Sequence, residues 1–184
     1  MEELVNIYLI GFMGAGKSTV APKLAEKLNM DWVDIDDIVE ERARFSVAEI
    51  FDYYGELRFR ELEKEVLKEV SEDPPVVVSV GGGAPMDNEN WSRMSSTGII
   101  IYLEVGPEEA YSRIGSDGSR PLLANLGEDE CRAKIKQLLL KRHPVYQQAD
   151  IQVKCNSTEP QKVIRKVVES LPDDLLGSVE GSVE

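Results

Sequence analysis

The sequence predicts a three-layer α/β fold, in which a parallel sheet of five strands has helices on both faces. Short apolar runs alternate with longer segments of helical periodicity along most of the chain. This alternation is typical of parallel sheets that are buried on both sides. The first apolar run leads through a glycine-rich turn into a helical segment. The 184 residues, 42% of them hydrophobic, suffice for one core, so a single domain is expected.

Five apolar runs have the length and composition of buried strands. They are Val5–Ile10, Trp32–Ile35, Val76–Val80, Ile99–Leu103 and Ile151–Val153. The third run ends at three consecutive glycines, Gly81–Gly83, which indicates a tight turn at its carboxyl end. Side chains alternate between the two faces of a strand, so Asp34 and Asp36 are expected on the same side of the second strand.

Helical periodicity fills most of the segments between these runs. Helices are expected at Ser18–Leu28, Ile38–Tyr54, Leu57–Val70, Pro107–Ile114, Glu128–His143 and Pro160–Leu171. Ser46 should divide the second of them and cap its latter part, because Glu49 follows at the spacing of a capping box. Pro144 should end the helix that begins at Glu128. Gly115–Gly127 is polar and glycine-rich, and we expect a mobile loop there.

Composition excludes several classes of protein. Acidic residues outnumber basic ones by 34 to 21, for a formal net charge of -13, and such a chain repels nucleic acid. Two cysteines, Cys131 and Cys155, are too few for a disulfide framework and are typical of the reducing cytoplasm. No apolar stretch reaches the ~20 residues of a membrane span, and no signal peptide is recognisable. We therefore expect a cytoplasmic protein with no membrane partner.

The last residues differ in composition from the rest of the chain. Pro172–Glu184 contain four acids, no base and a repeated Gly-Ser-Val-Glu. This composition predicts a disordered acidic tail over 173–184, which leaves 1–172 as the single domain.

The turn after the first strand carries a phosphate-binding motif. Gly11–Ser18 fits the pattern G-x-x-x-x-G-K-[ST] completely. Glycines let the backbone N–H groups point at phosphate oxygens, and the start of the following helix adds positive partial charge. Lys17 would neutralise the β- and γ-phosphates, and the Ser18 hydroxyl would bind Mg²⁺. We expect a nucleoside triphosphate to contact Gly14, Ala15, Gly16, Lys17, Ser18 and Thr19.

The phosphate loop alone does not separate kinases from GTPases and ATPase motors. The Asn-Lys-x-Asp motif that reads guanine is absent, and the third strand runs into glycines where a motor ATPase usually has an acid. The carboxylates that could serve the metal are Asp34 and Asp36. One could hold metal-bound water while the other orients an acceptor hydroxyl and takes its proton. Asp37 is expected only to cap the next helix.

Several motifs follow one another along the chain. They are the phosphate loop at 11–19, Asp34-Ile35-Asp36, Val47–Phe51, Gly55-Glu56 leading to Phe59-Arg60 with Glu63 behind, Ser79–Ala84, Ser119–Leu123 and Lys141–Tyr146. In this order and spacing they resemble the shikimate kinase family, over roughly Val5 to Leu171. The resemblance implies a P-loop kinase fold with a mobile lid at about 115–127. It also implies ATP- and Mg²⁺-dependent phosphorylation of the 3-hydroxyl of shikimate, on the route to aromatic amino acids, and we expect a monomer.

The resemblance implies which residues bind shikimate. Arg60 and Arg142 would bind its carboxylate, a task that suits the planar guanidinium. Glu63 could orient Arg60 from one helical turn away. Gly82 would offer its backbone N–H to a shikimate hydroxyl. Arg58 lies two positions from Arg60, so it should point to another face of the helix and stay in solvent.

The resemblance also implies which residues act on the phosphoryl group. Asp36 would orient the acceptor hydroxyls and act as the base, and Asp34 would hold Mg²⁺ through water. Arg120 would arrive with the lid and, beside Lys17, stabilise charge on the transferring group. Arg113 would flank the adenine, and both arginines would thus contact ATP.

Two questions stay open at this level. Phe51 and Phe59 match positions beside the shikimate ring in the family, but ordinary core packing explains them nearly as well. Gluconokinases and nucleoside monophosphate kinases share the phosphate loop, although the later motifs favour shikimate as the acceptor. A relative that binds without catalysis would be expected to lack a catalytic or carboxylate-binding residue, and all are present.

Overall fold

A computed structural model describes residues 5–73, 75–114, 121–155, 159–172 and 175 of the chain. Its strands are β1 (Asn6–Ile10), β2 (Asp31–Asp34), β3 (Val76–Ser79), β4 (Gly98–Glu104) and β5 (Ile151–Lys154). They form one sheet in the order β2-β3-β1-β4-β5, in which every neighbouring pair is parallel. The five parallel strands confirm the predicted α/β fold.

Helices pack on both faces of this sheet. They are α1 (Lys17–Leu28), α2 (Ile35–Ala43), α3 (Val47–Glu72), α4 (Asn88–Thr97), α5 (Pro107–Ile114), α6 (Glu128–Tyr146) and α7 (Pro160–Ser170). Helix α1 packs on β2 and β3 and against α7, and α4 packs on β4 and against α3. Successive side chains of β1 point to opposite faces, and none is more than 3% exposed, so both faces are covered. Within the described residues, no helix is long and apolar enough to cross a membrane.

The prediction for the second strand was wrong at its carboxyl end. Strand β2 stops at Asp34, and Ile35 is already the first residue of α2. The Asp34 side chain caps this helix by accepting a hydrogen bond from the Asp36 N–H at 3.0 Å. Asp36 therefore lies in the first helical turn and not on the strand. The capping role predicted for Asp37 belongs to Asp34, because Asp37 lies two residues inside the helix start.

Helix α3 consists of two helical segments that meet at Gly55. Ser46 caps the first segment by accepting a hydrogen bond from the Glu49 N–H, and the Glu49 carboxylate accepts one from the Ser46 N–H, as the capping-box spacing predicted. Gly55 has φ 83° and ψ 168°, a conformation that glycine adopts without strain. The kink explains why helical periodicity breaks between Tyr54 and Leu57.

Pro144 does not end α6, contrary to the prediction. The helix continues to Tyr146, and the next residue, Gln147, still donates its N–H to the His143 carbonyl at 2.9 Å. A proline removes one helical hydrogen bond. That loss is offset here because the extra turn buries Tyr146 completely and places its hydroxyl 2.5 Å from the Gly82 carbonyl oxygen.

Helix α4 was not predicted. Its apolar residues, Trp91 and Met94, are too few for a recognisable period, and its serines are residues that usually favour turns. In the helix, the Ser95 hydroxyl donates a hydrogen bond to the Trp91 carbonyl at 3.0 Å. Asp87 caps the helix through the Glu89 and Asn90 N–H groups.

Three predictions fall wholly or partly outside the described residues. They concern Arg120 with the first half of the lid at 115–120, most of the loop beside the adenine at 156–158, and nearly all of the acidic tail at 173–184. In the second half of the predicted lid, Pro121–Leu123 form a short 3₁₀ turn.

Candidate active site

The phosphate loop ends β1 and opens α1. Gly16 takes the N-cap position of α1 with φ 95°, a left-handed conformation that strains any residue with a Cβ. It has no capping side chain, and the first residues of the helix line a cavity of about 320 Å³. The cavity is lined by Met13, Gly14, Gly16–Thr19, Asp34, Asp36, Ser79–Gly82 and Arg113. Ala15 is buried, and its N–H donates to the Phe12 carbonyl inside the loop.

Two sets of hydrogen bonds hold the polar side chains of the loop and of β2 beside this cavity. The Lys17 ammonium donates to the carbonyls of Gly11 and Phe12, at 3.0 and 3.2 Å. The Ser18 hydroxyl donates to Asp34 Oδ2 at 2.8 Å. These are cationic and oxygen groups of the kind that hold triphosphates and Mg²⁺.

The residues present fit a magnesium ion. A cluster of three or more acidic, histidine or cysteine ligands is absent from the described residues. However, Mg²⁺ usually binds proteins through one or two ligands and completes its shell with phosphates and water. The paired oxygens of Ser18 and Asp34, beside the phosphate loop, supply that number.

A second cavity, of about 70 Å³, adjoins the first. Four residues line both cavities, namely Met13, Asp36, Gly81 and Gly82. The others that line the second cavity are Val47, Phe51, Phe59, Arg60, Glu63, Gly83, Pro121, Leu122 and Arg142. Asp36 therefore stands in the wall between a phosphate-binding cavity and a cavity that contains two arginines.

Arg60 forms an ion pair with the buried Glu63 in this second cavity. Arg60 Nη1 lies 2.7 Å from Glu63 Oε2, the contact that their spacing on α3 predicts, and Glu63 is 0% exposed. Burial raises the pKa of Glu63 to about 7, against the opposing effect of the Arg60 charge; the nearby Asp36 raises it further. Arg58 points to another face of the helix and pairs with Glu61 at 2.9 Å, as the sequence predicted.

The three consecutive glycines make room for this charged cluster. A Cβ on Gly81 would lie 2.2 Å from Glu63 Oε1 and 3.0 Å from Asp36 Oδ1. A Cβ on Gly83 would lie 2.4 Å from Arg60 Nη2. The predicted contact of the Gly82 N–H with shikimate requires the backbone of these glycines to approach a ligand. The structure shows that the same backbone also approaches the side chains of Glu63, Asp36 and Arg60.

Arg142 lines the second cavity from α6, and Tyr146 follows it one turn later on the same helix. Arg142 is only 6% exposed, and its guanidinium carbon lies 5.7 Å from the centre of the Phe12 ring. The Tyr146 hydroxyl donates a hydrogen bond to the Gly82 carbonyl. Burial raises the pKa of Tyr146 to about 12. Sequence reasoning missed this role of Tyr146, although its i+4 spacing from Arg142 was a usable signal.

The remaining predicted residues lie at the edges of the site. The rings of Phe51 and Phe59 are 5.1 Å apart and line the second cavity, so they are at once packed together and available to a ligand. Arg113 donates to the carbonyls of Gly14 and Cys155, at 3.0 and 2.9 Å. It also lines a further cavity of about 280 Å³ between α1 and α7.

The fold and the site define a class, the small P-loop kinases. A solved gluconokinase from Sinorhizobium meliloti 1021 superimposes with a TM-score of 0.60 over 97% of this chain and 98% of that chain. Its sequence identity is 13%, so this likeness bears on the fold alone.

Closer likenesses identify the family. The shikimate kinase family model matches residues 13–172. The shikimate kinase of Trichormus variabilis is 38% identical over 172 residues, which are 93% of this chain and 93% of the relative. A solved shikimate kinase from Acinetobacter baumannii, in complex with shikimate, superimposes with a TM-score of 0.86 at 34% identity, over 91% and 93% of the two chains. The chain belongs to the shikimate kinase family.

Proposed function

We propose that the protein transfers the γ-phosphoryl group of ATP to the 3-hydroxyl of shikimate, giving shikimate 3-phosphate and ADP. The observation that carries the proposal is the pair of adjoining cavities with Asp36 in their common wall. One cavity contains the phosphate loop, and the other contains Arg60 and Arg142. This is the arrangement that transfer from a triphosphate to a hydroxyl of an anionic acceptor requires.

In the acceptor cavity, the two arginines bind the shikimate carboxylate. Each guanidinium can donate two parallel hydrogen bonds to a carboxylate. Arg60 comes from α3 and Arg142 from α6, so the two hold the acceptor from different elements. The Gly82 N–H contacts a ring hydroxyl, and Phe51 with Phe59 packs on the ring.

In the nucleotide cavity, the phosphate loop binds ATP through its N–H groups and Lys17, with Arg113 toward the base. Ser18 and Asp34 hold Mg²⁺, which when bound neutralises phosphate charge. Asp36 orients the 3-hydroxyl and accepts its proton as that oxygen bonds to the γ-phosphorus and the bond to the β-phosphate oxygen breaks. By the family resemblance, Arg120, which lies outside the described residues, would stabilise charge on the transferring group.

The wider proposal is a cytoplasmic monomer in which 1–172 form one domain. Both cysteines of the chain are free and buried, which suits a reducing compartment. Light scattering after size-exclusion chromatography should give a mass near the 20.5 kDa of one chain. A dimer mass would contradict the monomer.

The proposed reaction is tested by ADP release with ATP, Mg²⁺ and each of three acceptors: shikimate, gluconate and AMP. Shikimate alone should stimulate release. Stimulation by gluconate or AMP instead would overturn the proposed acceptor. ATP hydrolysis that none of the three changes would overturn the kinase activity itself.

A further inference from the structure

Two carboxylates of different character bind the Arg60 guanidinium. Glu63 is fully buried and accepts from Nη1 at 2.7 Å. Glu56 is 51% exposed, and its Oε1 atom accepts from both Nε and Nη2, at 3.3 and 3.2 Å. The inner contact is short and shielded from water, whereas the outer contact is long and solvated. An exposed pair of the second kind is weak, because water screens its charges.

The outer contact occupies an edge of Arg60 that a ligand would need. Nε and Nη2 form one of the two edges at which a guanidinium binds a carboxylate through parallel hydrogen bonds. Nη1 is already engaged by Glu63, so the edge held by Glu56 is the one that a carboxylate can take without breaking the buried pair.

Glu56 also lies on the solvent side of the acceptor cavity. It lines an outer cavity of about 490 Å³, which shares Arg60, Gly83, Leu122 and other residues with the acceptor cavity. Glu56 lines only the outer of the two. Its side chain can therefore move away into the outer cavity without disturbing the acceptor cavity.

We propose that Glu56 is a displaceable substitute for the acceptor's carboxylate. It occupies the Nε–Nη2 edge of Arg60 while the site is empty, and the carboxylate of the acceptor displaces it on binding. Glu56 is thus a specificity-determining residue. A ligand that has no carboxylate cannot form a bond with Arg60 to replace the Glu56–Arg60 bond, so it cannot displace Glu56. This inference rests on the proposed function, since it takes shikimate as the acceptor.

The test compares Glu56→Gln with Glu61→Gln. Glu61 lies on the same helix, undergoes the same change of charge and pairs with Arg58 on the solvent face, so it controls for charge alone. With Glu56→Gln, we expect the KM for shikimate to fall about two- to fivefold, which corresponds to the strength of an exposed ion pair. The kcat and the KM for ATP should stay unchanged, and Glu61→Gln should behave as wild type. The gain should shrink in 1 M salt, where exposed pairs are screened.

The alternative roles of Glu56 give different results. A higher KM for shikimate in Glu56→Gln would mean that Glu56 positions Arg60, and an unchanged KM would mean that it is a bystander; either overturns the inference. An equal fall in Glu61→Gln would assign the effect to net charge and also overturn it. Absence of shikimate phosphorylation by the wild-type protein would instead contradict the proposed function.

Discussion

At the scale of single residues, Asp36 is the group that connects the two halves of the site. It lies in the first turn of α2, lines both cavities, and is close enough to Gly81 that a Cβ there would come within 3.0 Å of Oδ1. Its neighbour Asp34 is fully engaged with the Ser18 hydroxyl and the Asp36 N–H. This difference supports the separate roles that we propose, Asp34 toward the metal and Asp36 toward the acceptor.

Asp36→Asn should remove most turnover and leave ATP binding nearly intact. The amide keeps the shape of the side chain but cannot accept the hydroxyl proton, and loss of a general base typically lowers rates by ~10²–10⁴-fold. The measurement is kcat with shikimate, together with the Kd of ATP by calorimetry. Asp37→Asn is the control, because it makes the same charge change one residue away on an exposed side chain. A kcat for Asp36→Asn within tenfold of wild type would remove Asp36 from the role of base.

The raised pKa of Glu63 also affects the stability of the fold. Its pKa is about 7 in the folded protein, against an ordinary value of 4.5, because burial disfavours the carboxylate. The folded chain keeps this proton at pH values where the unfolded chain has released it. The stabilising contribution is therefore complete below pH 4.5 and is lost as the pH rises through about 7.

Glu63→Gln should remove this dependence, because the amide is neutral at every pH. Relative to wild type, the variant's free energy of unfolding should rise by about 2–3 kcal/mol between pH 5 and pH 8. Urea unfolding at the two pH values measures it. Glu61→Gln, an exposed acid on the same helix, should show no such change. A difference between Glu63→Gln and wild type that is the same at both pH values would contradict the raised pKa.

At the scale of elements, the sequence predicts well those strands and helix ends that local patterns determine. The three central strands, β1, β3 and β4, are largely apolar runs because both of their faces are buried. The Ser46 cap is set by a residue three positions away. Helix α4 lacks such a local signal, and so does the extra turn of α6, which depends on a contact between Tyr146 and Gly82, 64 positions apart.

The same distinction holds for the site. The phosphate loop is contiguous in sequence and was predictable from its motif. The reason given for placing Asp34 and Asp36 together was wrong, since β2 ends at Asp34, yet helix capping brings both to one cavity. The i,i+4 spacing of Glu56 and Arg60 is a local pattern that favours their bond. The fit of the glycines around Glu63 depends instead on three-dimensional packing, which no pattern in the chain specifies.

The turn after β3 provides a prediction at this scale. Gly81→Ala should displace Glu63 or Asp36, because the added Cβ would lie 2.2 Å from one carboxylate and 3.0 Å from the other. We expect a stability loss of about 1–3 kcal/mol, as for other overpacked sites, and a fall in kcat. Thermal unfolding and the ADP-release assay measure the two effects. Gly106→Ala is the control, since its Cβ would meet nothing within 4 Å. Wild-type behaviour of Gly81→Ala would show that the charged cluster tolerates rearrangement.

At the scale of the whole molecule, the net charge of -13 opposes the proposed substrates, which are both anions. Cations that offset this repulsion line the cavities beside several acids; they are Lys17, Arg113, Arg60 and Arg142. Many of the acids lie on exposed helix surfaces in pairs with nearby bases, such as Glu169 with Arg165 and Glu61 with Arg58. The total charge therefore describes the surface, and a few residues determine the sign of the site.

Two further cations, Lys134 and Lys141, line the outer cavity from one face of α6, seven positions apart. In an acidic protein they offset repulsion of an approaching carboxylate, and each charge at ~10 Å contributes only a few tenths of a kcal/mol in water. The double variant Lys134→Gln/Lys141→Gln should raise the KM for shikimate about two- to fourfold at low salt, with kcat unchanged and a smaller effect at 1 M salt. Lys136→Gln, which removes an exposed lysine from the same helix, should leave the KM unchanged. The contrary result is that Lys136→Gln raises the KM as much, per charge removed, as the double variant does. That result would show that the net charge of the protein governs the capture of shikimate, and not the local cations of the outer cavity.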